Sequence, residues 1–282
     1  VSNPDTRTLL DGLAFPEAPR WREDRLWFTD QHARTVQAVS PAGDVQTLAV
    51  TEDLPGGLGW LPNGDLLVVF MTRRCVMRWT GSTFALYANL ADLARFHCND
   101  MLADSSGALY VGNFGFDLHR GAAPVATELV RVDPDGTRSV FAGDLVFPNG
   151  CALTADGRTL LVAETFAHRI TAFALRADGL PSTRTLWAAL GERTPDGICL
   201  DHEGALWIAS PGTSELVRVA PGGDVLERCR TRGTPYACML GGEDRRTLYV
   251  CTSETDDPAE AARVRSGRIE TIEVQVPGAG LP

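Results

Sequence analysis

The sequence has no apolar run long enough to cross a bilayer. Its longest, LLVVFM at 66–71, is six residues against the roughly 20 that a membrane helix needs. Positive charge is scarce: 26 Lys and Arg stand against 36 Asp and Glu, a net charge of −10. Such a surface repels phosphate backbones and anionic lipid, which argues against nucleic acid or a membrane as partner. The opening VSNPDTRTLL lacks the basic-then-apolar layout of a secretory signal, so a cytoplasmic location is expected. None of the seven cysteines is spaced C-x-x-C, which removes zinc-ribbon and thioredoxin-type readings. Cys151, Cys199, Cys238 and Cys251 fall in apolar, strand-like segments and read as reduced, buried thiols. There is no G-x-S-x-G elbow, no H-E-x-x-H and no P-loop, so serine hydrolase, zincin and nucleotide-binding chemistry lose support.

What the chain does contain is a repeat. Six segments superpose: PEAPRWREDRLWFTD from 16, PGGLGWLPNGDLLVVF from 55, CNDMLADSSGALYVGN from 98, PNGCALTADGRTLLVAE from 148, PDGICLDHEGALWIAS from 195 and PYACMLGGEDRRTLYVCT from 235. Each carries a short strand, a Gly- or Asp-rich turn and a second strand. ELVRVDPDGTRSVFAG, RITAFALRADG and ELVRVAPGGDVLERC supply further strands between them. The second residue of each segment gives Glu17, Gly56, Asn99, Asn149, Asp196 and Tyr236, at intervals of 39, 43, 50, 47 and 40 residues. That period suits four antiparallel strands and their turns, one propeller blade. The expected fold is therefore all-β: a six-bladed β-propeller with four-stranded blades around a central channel, one domain over 1–282. TRTLL at 6–10 and IETIEVQV at 269–276 are expected to share a sheet and close the ring. DDPAEAARVR at 256–265 is the best helix signal, with Asp257 as cap and Pro258 in the first turn.

In a propeller the first strand of each blade lines the channel, so equivalent positions ahead of it converge at one end. Here they bring two carboxylates, Glu17 and Asp196, and two amides, Asn99 and Asn149, toward one axis. Such groups are costly to bury unpaired, and a hard cation satisfies them, because every one offers oxygen. Singly, Asn149-Gly150, Asp196-Gly197 and Asn99-Asp100 also read as turn pairs. Glu17, followed by Ala and Pro, has no such explanation.

Taken in order, FPEAPRW at 15–21, ND at 99–100, FPNG at 147–150 with ADGRTLLVAE after it, and PDGICLDHEGALWIA at 195–209 resemble the senescence marker protein, gluconolactonase and luciferin-regenerating enzyme-like family of six-bladed propellers. The resemblance spans essentially all six blades. It implies one divalent metal ion, calcium first and magnesium, manganese or zinc as alternatives, held by Glu17, Asn149 and Asp196, with Asn99 contacting metal or substrate. It also implies hydrolysis of a sugar lactone. Asp196 is the expected general base and Asp100 the reserve. One departure stands out. Sugar-lactonase relatives often place an arginine two residues before the asparagine of the ND pair; here that place is His97, and Arg95 lies four residues before it. His97 is thus expected to select substrate, and Phe15, Phe147, Phe114 and Tyr236 are candidate pocket wall, which opens the way to an apolar lactone or ester. Cys98 is expected to pack inward, His32, His119, His168 and His202 to be scattered and mostly solvated, and Glu164 to be a water-exposed carboxylate at a strand end. The expected partner is a small-molecule lactone or ester, and the chain a monomer or small homo-oligomer. The competing functions are another hydrolysis (ester or phosphotriester) or a lyase step on the same metal, and a non-catalytic binding propeller with a structural metal.

Overall fold

The computed structural model describes residues 6–279. They form six four-stranded antiparallel sheets arranged as the blades of a propeller. The innermost strands are Pro16–Arg22, Pro55–Trp60, Cys98–Ala103, Pro148–Leu153, Ile198–Leu200 and Thr234–Gly241. The second strands Leu66–Phe70, Leu109–Asn113 and Leu206–Ser210 are buried at every residue. A blade is covered on both faces by its neighbours, so these strands read as unbroken apolar runs instead of alternating ones. The outer strands Val45–Val50 and Val225–Cys229 are largely exposed and mixed. Hydrophobicity therefore falls off from the inner strands outward, and the core lies between blades.

The ring closes as expected. Arg7–Leu13 pairs antiparallel with Gly267–Glu273, from Arg7 opposite Thr271 to Leu13 opposite Gly267. It thereby completes the sixth blade with the first strand of the chain. Trp21 of the first blade stacks on Tyr249 of the sixth at 5.3 Å between ring centroids. Helix Pro258–Val264 also forms, and the Asp257 carboxylate accepts from the Glu260 N–H at 2.8 Å. Among the described residues no helix is long and apolar enough to cross a membrane.

Near the axis, space is the controlling quantity. Gly150 and Gly197 are not in turns, as the dipeptide reading allowed, and neither has a positive φ. They lie where consecutive inner strands touch. A Cβ on Gly150 would meet the Asp196 carbonyl oxygen at 2.7 Å, and one on Gly197 would meet Ala237 Cα and Cβ at 2.5 Å. Gly197→Ala is accordingly expected to cost about 1–3 kcal/mol through overpacking. Gly143→Ala, where an added Cβ meets nothing within 4 Å, should be near neutral; urea unfolding of the two variants side by side measures the difference.

Candidate active site

Five inner strands break register just after the repeat position: between Glu17 and Arg20, Pro55 and Leu58, Cys98 and Met101, Pro148 and Cys151, and Pro235 and Ala237. Such bulges re-aim side chains. The strands follow one another around the axis through close backbone contacts. A Cβ on Gly56 would lie 2.6 Å from the Asn99 carbonyl oxygen; Gly150 N–H donates to the Asp196 carbonyl at 3.2 Å, and Gly197 N–H to the Tyr236 carbonyl at 2.8 Å. The repeat positions thus stand side by side in a ring.

Asn99 and Asn149 are buried, and the Asn149 amide donates to Thr165 Oγ1 at 3.2 Å. Thr165 Oγ1 in turn donates to the Pro195 carbonyl at 2.8 Å, which ties the fourth blade to the residue before Asp196. Glu17 and Asp196 keep some exposed area. The Glu17 carboxyl is pushed up to about 8, chiefly by desolvation, with the Asp100 charge adding to it and the Ala18 N–H and the Arg20 cation opposing. Asp196 is raised well above the ordinary carboxylate range by the same desolvation and by the charges of Glu17 and Asp100, while Asn149 favours its ionised form. The two carboxyls resist being charged together, because each is desolvated and feels neighbouring negative charge. Among the described residues no three His, Cys, Asp or Glu side chains gather to hold a metal. The ring offers two carboxylates with amide oxygens, a donor set that fits a hard cation. Burial, with the carboxylates of Asp256, Asp196 and Glu17 adding to it, raises the Tyr236 hydroxyl and keeps it protonated.

Asp100 stands one residue past the ring position, where the other five blades carry Ala18, Gly57, Gly150, Gly197 and Ala237. Its carboxylate reaches Arg20 of the first blade at 2.7 Å and accepts from the Met101 N–H at 2.8 Å. Arg20 also donates to the carbonyls of Met101 and Pro19, at 2.6 and 2.8 Å. This largely buried pair ties the first blade to the third across the axis, and Arg20 is the residue that motif reading passed over. A signal was available: Arg20 lies three residues past the ring position, where the other blades have Gly59, Leu102, Ala152, Cys199 and Met239. A lone cation in such a set needs a partner. On the far side of Arg20 the chain crosses back over the inner strands: Gly278 N–H donates to the Arg245 carbonyl and Ala279 N–H to the Leu200 carbonyl, both at 2.9 Å.

The remaining expectations divide. His97 is half-buried, stacked on Phe96 at 4.2 Å and 6.1 Å from Phe114; Arg95 is exposed. Phe114 stacks on Phe147 at 4.5 Å, and Phe15 meets Tyr236 edge-on at 4.7 Å. Phe114 and Phe147 also belong to an interblade core, whereas Phe15 and Tyr236 form a separate cluster with Ala261 of the helix. Cys98 packs inward with no exposure, and burial raises its thiol to about 12. Two expectations need correction. Glu164 is fully buried, not exposed. It accepts from Arg169 Nε at 2.8 Å, from Thr171 Oγ1 and from the Val146 N–H at 3.0 Å, so it braces the loop that presents Phe147 and Asn149. His32 is only partly exposed: it lies 5.0 Å from Phe15, and its Nδ1 is buried without a partner.

A sequence model of the SMP-30/Gluconolactonase/LRE-like region matches residues 15–254. A 6-deoxy-6-sulfogluconolactonase from Pseudomonas putida is 30% identical over 279 residues, covering 94% of this chain and 93% of that one. A gluconolactonase structure from Xanthomonas campestris superposes with a TM-score of 0.78 at 26% identity, over 98% of this chain and 89% of that one. A calcium-binding protein, regucalcin, from Agrobacterium tumefaciens superposes with a TM-score of 0.82 at 23% identity, over 99% and 97% of the two chains, a likeness of fold.

Proposed function

This chain belongs to the SMP-30/Gluconolactonase/LRE-like family, and from that premise we propose that it is a lactonase that opens a cyclic ester with a divalent metal ion, calcium in first place. The observation that carries the reading is the ring of oxygen-bearing side chains, with Glu17 and Asp196 from the first and fifth blades at positions equivalent to Asn99 and Asn149 and close enough to feel each other's charge. The relatives that hydrolyse sugar-acid lactones support the reaction class. Glu17, Asp196, Asn149 and Asn99 are the residues to hold the ion. When bound, the ion supplies positive charge that polarises the lactone carbonyl and offsets the negative charge developing on its oxygen.

The chain's own residues do the rest. Asp196 takes a proton from the attacking water, whose oxygen bonds to the acyl carbon. The ring C–O bond then breaks with its electron pair on the ring oxygen, which receives the proton Asp196 holds, and the product is a hydroxy acid. Asp100 is the weaker candidate for this transfer, because protonating it would give up a buried ion pair with Arg20 at 2.7 Å and leave the guanidinium unpaired, a costly state. Tyr236, held protonated, can donate to a substrate oxygen from the same ring. All seven cysteines are free and buried.

The test is acid release from a panel of lactones in a pH-stat, with and without chelator. Turnover that is lost on chelation and restored by calcium is the expected result. Turnover indifferent to chelation would remove the metal from the reaction.

A further inference from the structure

Two residues ahead of the oxygen ring lies a second set of equivalent positions: Phe15, Leu54, His97, Phe147, Thr194 and Thr234. The same repeat that gathers the ring sets these six residues at its entrance side as a collar, with Phe15 and Phe147 largely buried and His97 half-exposed. Blades one to four contribute three aromatic rings and a leucine, blades five and six two hydroxyls. None carries a fixed charge.

The aromatic side is built up by neighbours. Phe147 stacks on Phe114 at 4.5 Å and meets Phe166 edge-on at 5.2 Å. Phe96 stacks against His97 at 4.2 Å, and Tyr236 lies against Phe15 at 4.7 Å. The hydroxyl side is partly occupied already: Thr194 Oγ1 accepts from the Gly212 N–H at 2.8 Å, and Thr234 Oγ1 lies 3.3 Å from Ser214 Oγ. The cation felt by the Glu17 carboxyl is Arg20, and its donors are committed to Asp100, Met101 and Pro19. None of the six collar side chains is a cation, and the one cation felt by the Glu17 carboxyl is already committed, so a sulfonate or carboxylate at the ring would meet carboxylates without a free guanidinium beside Glu17.

We propose that the lactone taken by this site has an uncharged, apolar or aryl body, packed against Phe15 and Phe147 at the mouth, with its ester group directed to the oxygen ring. This rests on the lactonase reading above. It makes Phe15, His97 and Phe147 specificity-determining residues and separates this chain from relatives named for sugar-acid lactones. Burying an aryl or alkyl body against such rings gains free energy in proportion to the apolar area removed from water. A sugar lactone gains less and leaves hydroxyls unpaired.

The test compares kcat/KM for 3,4-dihydrocoumarin, γ-nonalactone and glucono-1,5-lactone on the calcium-loaded protein. The expected result is a preference of about tenfold or more for either apolar lactone over gluconolactone, the scale of discrimination that an apolar pocket provides. Equal or better turnover of gluconolactone overturns the inference and leaves the lactonase reading standing. No turnover of any of the three overturns the lactonase reading, and this inference with it. His97→Arg, which places a forked cationic donor in the collar, is expected to narrow the preference by raising kcat/KM for gluconolactone, mainly through KM. An unchanged ratio in a folded, calcium-binding variant removes His97 from the specificity set.

Discussion

Asp196→Asn is expected to lower kcat by roughly 10²–10⁴-fold, the usual contribution of a positioned general base. The substitution keeps the shape of the side chain and one oxygen donor, and the backbone contacts that set the position do not involve the carboxyl. Asp196 N–H donates to the Ala209 carbonyl at 2.9 Å and Gly150 N–H donates to the Asp196 carbonyl at 3.2 Å whichever residue is present. A loss of rate therefore has two candidate causes, a missing base and a weakened metal site, and they separate by titration. If the carboxylate only binds the ion, saturating calcium restores turnover in the variant. If it also moves the proton, the loss in kcat persists at saturation, and the acid limb of the pH–rate profile that reports Asp196 disappears. The proton affinity of this group is raised without metal, and a bound cation pulls it down, so the limb should shift to lower pH as calcium is raised to saturation. Near-normal turnover at saturating calcium would transfer the base role away from Asp196.

Part of this was readable before any coordinates, and the reason is geometric. A repeat converts sequence offset into position around an axis, so Glu17, Asn99, Asn149 and Asp196 could be grouped across 180 residues from their shared place ahead of an apolar strand. The same logic located the closing strand, because a ring needs its last blade completed. What escaped was whatever depends on which side chain meets which across the channel. Arg20 and Asp100 are 80 positions apart, and nothing local in FPEAPRW or HCND marks them as partners; only the comparison of one blade with the other five exposes each as a lone charge. Glu164 was misread because a strand-end carboxylate is usually solvated. Its burial depends on Arg169 and Thr171 of the neighbouring strand. Their hydrogen bonds outweigh the cost of burial, so its carboxyl is held below the usual range despite that burial. The glycines of PNG and PDG were ambiguous for a related reason. Turn chemistry and close strand approach select the same residue, and only the space an added Cβ would find against Asp196 and Ala237 tells them apart.

Chelated protein is expected to lose stability as pH rises from about 5 to 8, and calcium to restore more at pH 8 than at pH 5. The sign comes from Glu17. Its carboxyl is raised from 4.5 to about 8 in the folded protein, so the folded state holds this proton more tightly than the unfolded chain does. The stability linked to it is fully present below about 4.5 and is lost progressively as pH rises toward 8. Each tenfold difference in proton affinity is worth about 1.4 kcal/mol. Allowing for the partial exposure of Glu17, we expect a loss on the order of 2 kcal/mol, a drop in Tm of roughly 3–4 °C for a chain of this size. A cation among Glu17, Asp196, Asn99 and Asn149 removes the penalty by pairing the charges, and at a hundredfold excess over Kd its binding adds about 2.7 kcal/mol. Other carboxylates titrate over the same range, so the informative measurement is a difference. Glu17→Gln cannot carry the charge, and its Tm without metal should change less between pH 5 and 8 than that of the wild type. At pH 8 the chelated variant should match or exceed the chelated wild type, yet gain little from calcium. Thermal scans at pH 5, 6.5 and 8, with calcium or with chelator, give all four quantities. If wild type and variant lose stability in parallel, the strained carboxyl pair is not what the ring is built around, and the case for a cation there falls with it.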